Sequence, residues 1–160
     1  MSRYAYDSNM LPSRPSELVK AFADVIKGDV PILVKLGGAN VFYPLAPANK
    51  PPSGRWITVR ERYELGGMVE VESGFMLPMI QVMTESRESI HSPEEASDWH
   101  EQTQDEVLRA LEEANISVTT GVVEFLKRDI RPSPILPDED DDTYYSTSGY
   151  RMTMGPQIEE

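Results

Sequence analysis

The sequence predicts an α+β protein: an antiparallel sheet of about four strands with two helices packed on one face. Three observations lead there. Segment 92–115 has helical periodicity and a complete N-terminal start signal. Segments 55–63, 75–84, 121–130 and 144–154 have the alternating or continuously apolar character of strands. The long helix falls among these strands, so the C-terminal half reads strand, helix, strand, strand. At 160 residues one domain is the natural expectation, able to bury roughly 70% of its unfolded surface.

Residues 1–15 read as an irregular arm in which Pro12 and Pro15 bracket Ser13 and Arg14. A first helix follows over 16–27, with Leu18, Phe22, Val25 and Ile26 on one face and Gly28 ending it. Segment 31–36 reads two ways: its Ile-Leu-Val content suits a strand, yet Pro31 can open a short helical turn closed by Gly37-Gly38. Residues 40–43 are expected to be extended. The stretch 44–54 contains four prolines and reads as an extended loop of polyproline character. The arm and this loop have little apolar surface to offset their ordering entropy, so both are expected to order on assembly.

Residues 55–63 alternate Trp56, Thr58, Arg60 and Arg62 with Ile57, Val59, Glu61 and Tyr63, a strand with one mainly apolar face. Gly66-Gly67 interrupts, and 69–71 either pairs or belongs to the connection. Segment 75–84 is apolar on both faces, Met76, Ile80 and Val82 against Leu77, Met79 and Met83. Pro78 belongs near its start or on an edge, because proline donates nothing to a ladder. A doubly apolar strand needs two covers: the helices supply one, and a neighbouring subunit can supply the other.

The main helix has Ser92 as N-cap, Pro93 at its first position and Glu95 placed to reach back to the cap's N–H. Ala96, Trp99, Thr103, Val107, Ala110 and Ala114 make its apolar stripe, widened by Leu108 and Leu111, and Trp99 is expected in the core. Seven carboxylates, from Glu94 to Glu113, occupy the other side. Segment 121–130 alternates weakly, 132–142 is proline-bearing and acidic, 144–154 is the last strand, and 155–160 is a flexible tail. The domain proper therefore spans 16–154.

No chemistry is expected. His100-Glu101 on a helix resembles half of a zinc-protease motif, but the second histidine one turn on is missing, so His100 is read as a solvent-edge residue. The acidic run 138–142 lacks the glycine and glutamate of a calcium loop, with Thr143 and Gly149 in those places. Gly37-Gly38 has no lysine or further glycines to make a phosphate cradle. The serines have no histidine at useful spacing with an acidic orienter, and the paired carboxylates lie on an exposed face that cannot raise a pKa. The reading is a non-enzyme without catalytic residue, cofactor or metal.

Charge is unevenly spread. The net charge is −12, but residues 1–67 carry nine Lys/Arg against six Asp/Glu, and 68–160 carry six against twenty-one. A nucleic-acid binder needs a basic stripe, and the C-terminal half offers the reverse. The composition suits subunit contact: basic Arg55, Arg60 and Arg62 of one copy near acidic residues of the next, with Met79 and Met83 of the doubly apolar strand as adaptable interface residues. There is no cysteine and no apolar N-terminal leader. No run nears the roughly 18 apolar residues of a membrane span, so a soluble protein with no membrane partner is expected.

The element order is similar to that of a known family. An N-terminal helix leads to Gly37-Gly38 and a Val-Phe-Tyr-Pro segment at 41–44. A proline-containing loop then opens a strand starting Trp56-Ile-Thr-Val. A long strand ending Ile80-Gln-Val-Met-Thr-Glu-Ser runs into a helix with Glu95-Ala96 at its start, and an acidic connection leads to Tyr144-Tyr-Ser-Thr-Ser-Gly-Tyr-Arg-Met-Thr-Met. Over residues 16–154 this resembles the tail terminator, or tail completion, proteins of long-tailed bacteriophages and gene-transfer agents. The arm before Ser16 and the loop 47–54 are longer than the minimal pattern, and 31–36 becomes a helical turn on this view.

The resemblance implies a structural virion protein at the head-tail junction, assembled in the host cytoplasm. Six subunits would form a homo-hexameric ring that caps the tail tube, stops its polymerisation and offers a docking surface to the head connector. Its partners would be its own copies, the tail tube protein and the connector or head-closure protein, with DNA passing through unbound. A head-closure (neck) protein and a non-viral acidic adaptor are the alternatives.

Overall fold

A computed structural model describes residues 15–62, 68–70, 76–118, 121–130, 135–138 and 142–155. The chain opens with α1, Pro15–Lys27, which turns Leu18, Val19, Phe22, Ala23 and Ile26 inward. Gly28 donates to the Asp24 carbonyl at 3.0 Å as the helix ends. Asp29 then caps α2, Val30–Leu36, accepting from the Ile32 N–H at 3.2 Å. Gly37, at φ 71°, ends α2 in the left-handed turn, and Gly38 donates back to Leu33 O at 3.1 Å. The ambiguous segment is thus a helix: capping at both ends outweighs its β-branched content, and Ile32 and Leu36 are buried one turn apart. It adds a third helix to the expected two.

Strand β1, Val41–Phe42, runs parallel to β2, Arg55–Arg62, which makes the sheet mixed. The loop between them contains a cis Tyr43–Pro44 bond. Its far end is built into the domain. Asn40 Nδ2 donates to Leu36 O, Ser53 Oγ and Arg55 O at 3.1, 2.9 and 3.2 Å, and Pro51 and Gly54 are buried. Those contacts tie the end of the loop to the last turn of α2 and the first residue of β2.

Strand β3, Met68–Glu70, pairs with the start of β4, Met76–Arg87. Pro78 is the last β4 residue paired with β3, and the β2 and β8 ladders begin at Met79, so the missing N–H falls outside the central pairing. A 3-10 turn, Glu88–Ile90, leads to α3, Pro93–Glu113. Then come β5, Ser117–Val118, β6, Gly121–Ile130, β7, Leu136–Asp138, and β8, Thr143–Gly155. The spatial order is β1-β2-β4-β8-β6-β5, with β7 on β8. Four long antiparallel strands, β2, β4, β8 and β6, form the centre as expected. The short edge strands β5 and β7 carry too little pattern to be read in advance.

All three helices pack on one face of this sheet. The core joins Leu18, Phe22, Ile26, Ile32 and Leu36 to Ile57, Val59, Ile80, Val82, Tyr150 and Met152, with α3 adding Trp99, Val107, Ala110 and Leu111. Phe22 meets Tyr150 edge-on at 6.4 Å. Trp99 is buried, and its indole N–H donates to Lys35 O at 3.0 Å, tying α3 to α2. Burying both ring and N–H partner makes this one of the stronger anchors of the helix layer.

Candidate functional site

The polar residues under α3 were not legible as interior residues. His100 is 1% exposed, correcting its reading as a solvent-edge histidine. It sits one position round the helix from Trp99 and hydrogen-bonds strand hydroxyls on both sides of its ring. Nδ1 lies 2.7 Å from Thr84 Oγ1 and Nε2 lies 2.8 Å from Ser86 Oγ. His91 Nε2 is also 2.8 Å from Ser86 Oγ, and Thr84 Oγ1 donates to Ser146 O at 3.4 Å. One proton per hydroxyl then assigns a direction: His91 Nε2–H to Ser86, Ser86 O–H to His100 Nε2, His100 Nδ1–H to Thr84, Thr84 O–H to Ser146 O. Gln104 extends the network, donating to Val82 O at 3.3 Å and Ser146 O at 3.1 Å while its Oε1 accepts from Ser148 Oγ at 2.7 Å.

This arrangement keeps both imidazoles neutral. Burial, then the proximity of His91, which resists a second imidazolium beside it, and the charge of Arg55 push His100 down to about 3, and burial followed by Arg55 lowers His91 against a smaller opposing pull from Glu95. Ser86 touches two histidines, yet it is 0% exposed and neither histidine has a carboxylate hydrogen bond among the described contacts. A nucleophile that no substrate can reach is a structural hydroxyl, and the network locks helix to sheet. Among the described residues no group of three His, Cys, Asp or Glu could hold a metal ion, and no helix is long and apolar enough to cross a membrane. Of the acidic run, residues 139–141 lie outside the described residues; Asp142, at φ 52°, accepts from the Glu88 N–H at 2.9 Å.

Two outer surfaces remain. The first is the helix side. Glu94, Asp98, Glu101, Asp105 and Glu112 are exposed at helical steps along α3. The start signal works with one change from expectation: Ser92 Oγ accepts from the Glu95 N–H at 3.3 Å, but the Glu95 carboxylate takes the Ser92 hydroxyl at 3.2 Å instead of the cap's N–H. Arg109, the one cation of α3, is committed to Asp29, Glu106 and Glu113 at 2.8, 2.7 and 3.1 Å, and its hydrogen bonds to Glu106 and then Asp29 raise its pKa further. Beside the stripe, Val30 and Val34 of α2 are exposed by 68% and 75%.

The second surface is the sheet face away from the helices. Trp56, Thr58 and Arg60 alternate there with core-facing Ile57 and Val59, and Met79, Gln81, Met83 and Glu85 alternate with Ile80 and Val82. Thr58 Oγ1 donates to Glu85 Oε2 at 3.1 Å, and Arg60 Nε donates to Gln81 Oε1.

The five residues singled out for subunit contact are divided by this geometry. Arg60 is exposed and Met83 half-buried on the outer sheet face. Met79 shares that face but is 2% exposed in the single chain. Arg55 points the other way, its guanidinium 5.4 Å from the Trp99 ring centroid, so it serves the inner packing at the α3 N-terminus. Arg62 pairs with Met79 in register, and its side chain lies outside the described residues.

No protein-family model and no curated protein matches this sequence. Among solved structures, a chain from "Virion of native gene transfer agent (GTA) particle" has the same fold, with a TM-score of 0.60 over 86% of this chain and 94% of that one. Sequence identity is 16%, so the likeness is one of fold.

Proposed function

We propose that this chain is a structural virion protein of a phage or gene-transfer agent, and that it acts as the tail terminator. In this reading copies form a ring, most simply a hexamer, on the end of the tail tube. The ring stops tube polymerisation, receives the head connector and lets DNA pass without binding it. The single observation that carries the reading is the fold shared across nearly the whole of a chain from a gene transfer agent virion, in the element order that the sequence itself presents. The deep burial of Ser86 and His100 agrees with a protein that performs no chemistry. A surface with an acidic helix layer suits a conduit beside DNA.

The test is genetic and visual. Particles made without this protein should carry tubes of uncontrolled length that fail to join filled heads, and adding the purified chain to growing tubes should stop them. Tails of normal length that remain unjoined would transfer the role to head closure at the neck. Normal, joined tails in its absence would remove both readings.

A further inference from the structure

We infer that the exposed apolar side of α2 docks the N-terminal arm, residues 1–14, of a second copy; the use made of that contact rests on the ring reading above. Three sides of α2 are occupied, by α1, α3 and β2, and Ile32 and Leu36 are buried among them. The fourth side carries Val30 and Val34, one helical turn apart and exposed by 68% and 75%, with Pro31 exposed beside them. Valine at an exposed position does nothing for a short helix, because β-branched side chains are weaker helix formers than alanine, lysine or glutamate. Leu45, 73% exposed, follows two residues after Tyr43, whose ring lies 5.6 Å from Lys27 Nζ at the end of α1. A third apolar side chain thus stands near the turn where α2 begins.

Charge around this ridge selects what can cover it. In residues 28–54 the charged side chains are Asp29, Lys35 and Lys50, in a chain that is 26% charged overall. Asp29 is turned to Arg109 and Lys35 to Gln102, so neither interrupts the ridge. Next to Gln102 on α3, Asp98 and Glu101 are exposed and pair with no cation among the described residues. A cover must therefore be apolar and carry basic charge. A second α2 face would set carboxylate against carboxylate. The arm meets both conditions, with Tyr4, Tyr6, Met10 and Leu11 between Arg3 and Arg14, against the single acid Asp7. At least fourteen residues precede α1, a length that reaches roughly 46–50 Å when extended. Helix α1 is about 20 Å long, and α2 follows its far end. An arm returning to its own α2 must reverse at Pro15 and retrace that length, whereas the arm of a neighbour arrives directly. Because a terminal segment of one copy meets a helix face of the next, the contact is head-to-tail, the kind that closes into a ring when the rotation permits.

The full chain contains no cysteine, so single cysteines report contacts cleanly. Tyr6→Cys protein mixed with Val34→Cys protein under mild oxidation should give at least ten times more mixed disulfide dimer than Tyr6→Cys mixed with Ser89→Cys, a control on the exposed turn after β4. In cysteine-free protein, Val30→Asp combined with Val34→Asp, both outside the core, should leave thermal unfolding unchanged and weaken self-association at least tenfold. Removing residues 2–14 should weaken it by a similar factor, and joining the two changes should add little, since each deletes one half of a single contact. Equal cross-linking of both pairs, absence of cross-links, or fully additive losses overturns the contact. So does an internal disulfide in a dilute Tyr6→Cys, Val34→Cys double variant, which would assign the arm to its own chain. Loss of tube capping with self-association intact overturns it as well, and would assign the ridge to another protein. Uncontrolled tails in the knockout with failed cross-linking remove only this contact. Specific cross-linking with normal tails in the knockout removes the terminator reading and leaves the contact.

Discussion

Arg109 grips Asp29 with one guanidinium nitrogen, 2.8 and 2.9 Å from the two carboxylate oxygens, across eighty residues of sequence. The same carboxylate caps α2 through the Ile32 N–H, so one side chain both starts a short helix and anchors it to α3. Asp29→Asn should keep the cap and lose the charge, whereas Asp29→Ala loses both. In urea unfolding, Asp29→Ala should cost about 1 kcal/mol from the cap alone, plus whatever the Arg109 contact adds. An Asp29→Asn variant as stable as wild type would mean that the ion pair contributes nothing beyond the cap.

Trp99→Ala should destabilise by about 3–5 kcal/mol, the usual range for emptying an aromatic core site. Trp99→Phe should fall between it and wild type, because it keeps much of the packing but loses the donor to Lys35 O. A loss under about 1 kcal/mol for the alanine variant, from denaturant midpoints at unchanged m-value, would contradict the packing described.

Acid should unfold this protein through its histidines. The folded values of His91 and His100 lie below the ordinary 6.5, His100 at about 3. Below pH 6.5 the unfolded chain therefore binds more protons than the folded one, and stability falls as pH drops from about 6.5 toward 3. The limiting slope is about 1.4 kcal/mol per pH unit for each such group. Replacing His100 with Gln should lower stability at pH 7 and flatten the slope between pH 6 and 4. An unchanged slope in that variant would show that other groups control acid unfolding.

The α3 register was largely readable: Ser92, Pro93 and the stripe from Ala96 to Leu111 announce the helix and its buried side. His100 and Gln104 were missed because a hydrophobic period counts polar residues as solvent-facing. Only the strands that meet them, with Thr84, Ser86, Ser146 and Ser148 pointing inward, reveal an interior built to receive polar side chains. The runs of inward Thr and Ser on two segments were the available signal, and they carry it only once β4 and β8 are known to be neighbours. In the same way Arg55, Arg60 and Arg62 looked equivalent along one strand. Alternation separates Arg55 from Arg60 by face, and the phase is set by Ile57 and Val59 in the core.

The proline-rich loop should tolerate shortening in one half only. Removing residues 45–50, where Leu45 is 73% exposed, should leave the melting temperature within a few degrees of wild type. Asn40→Ala, which releases the Leu36, Ser53 and Arg55 contacts, should instead lower stability by on the order of 1–3 kcal/mol. Thermal unfolding of the two variants side by side checks both, and the reverse order of stabilities would sink this division of the loop.

An apolar helix face can slide or turn on a sheet at small cost, but the hydrogen bonds of His100 and Gln104 to Thr84, Ser86, Ser146 and Ser148 point in fixed directions. They key the azimuth of α3 to β4 and β8 as a notch keys a shaft. The carboxylates on its far side therefore keep one compass bearing relative to the strands in every copy of the molecule. Copies stacked or circled with that bearing in common acquire a polarity that none of their individual contacts needs to encode, and an object built from them can tell its two ends apart.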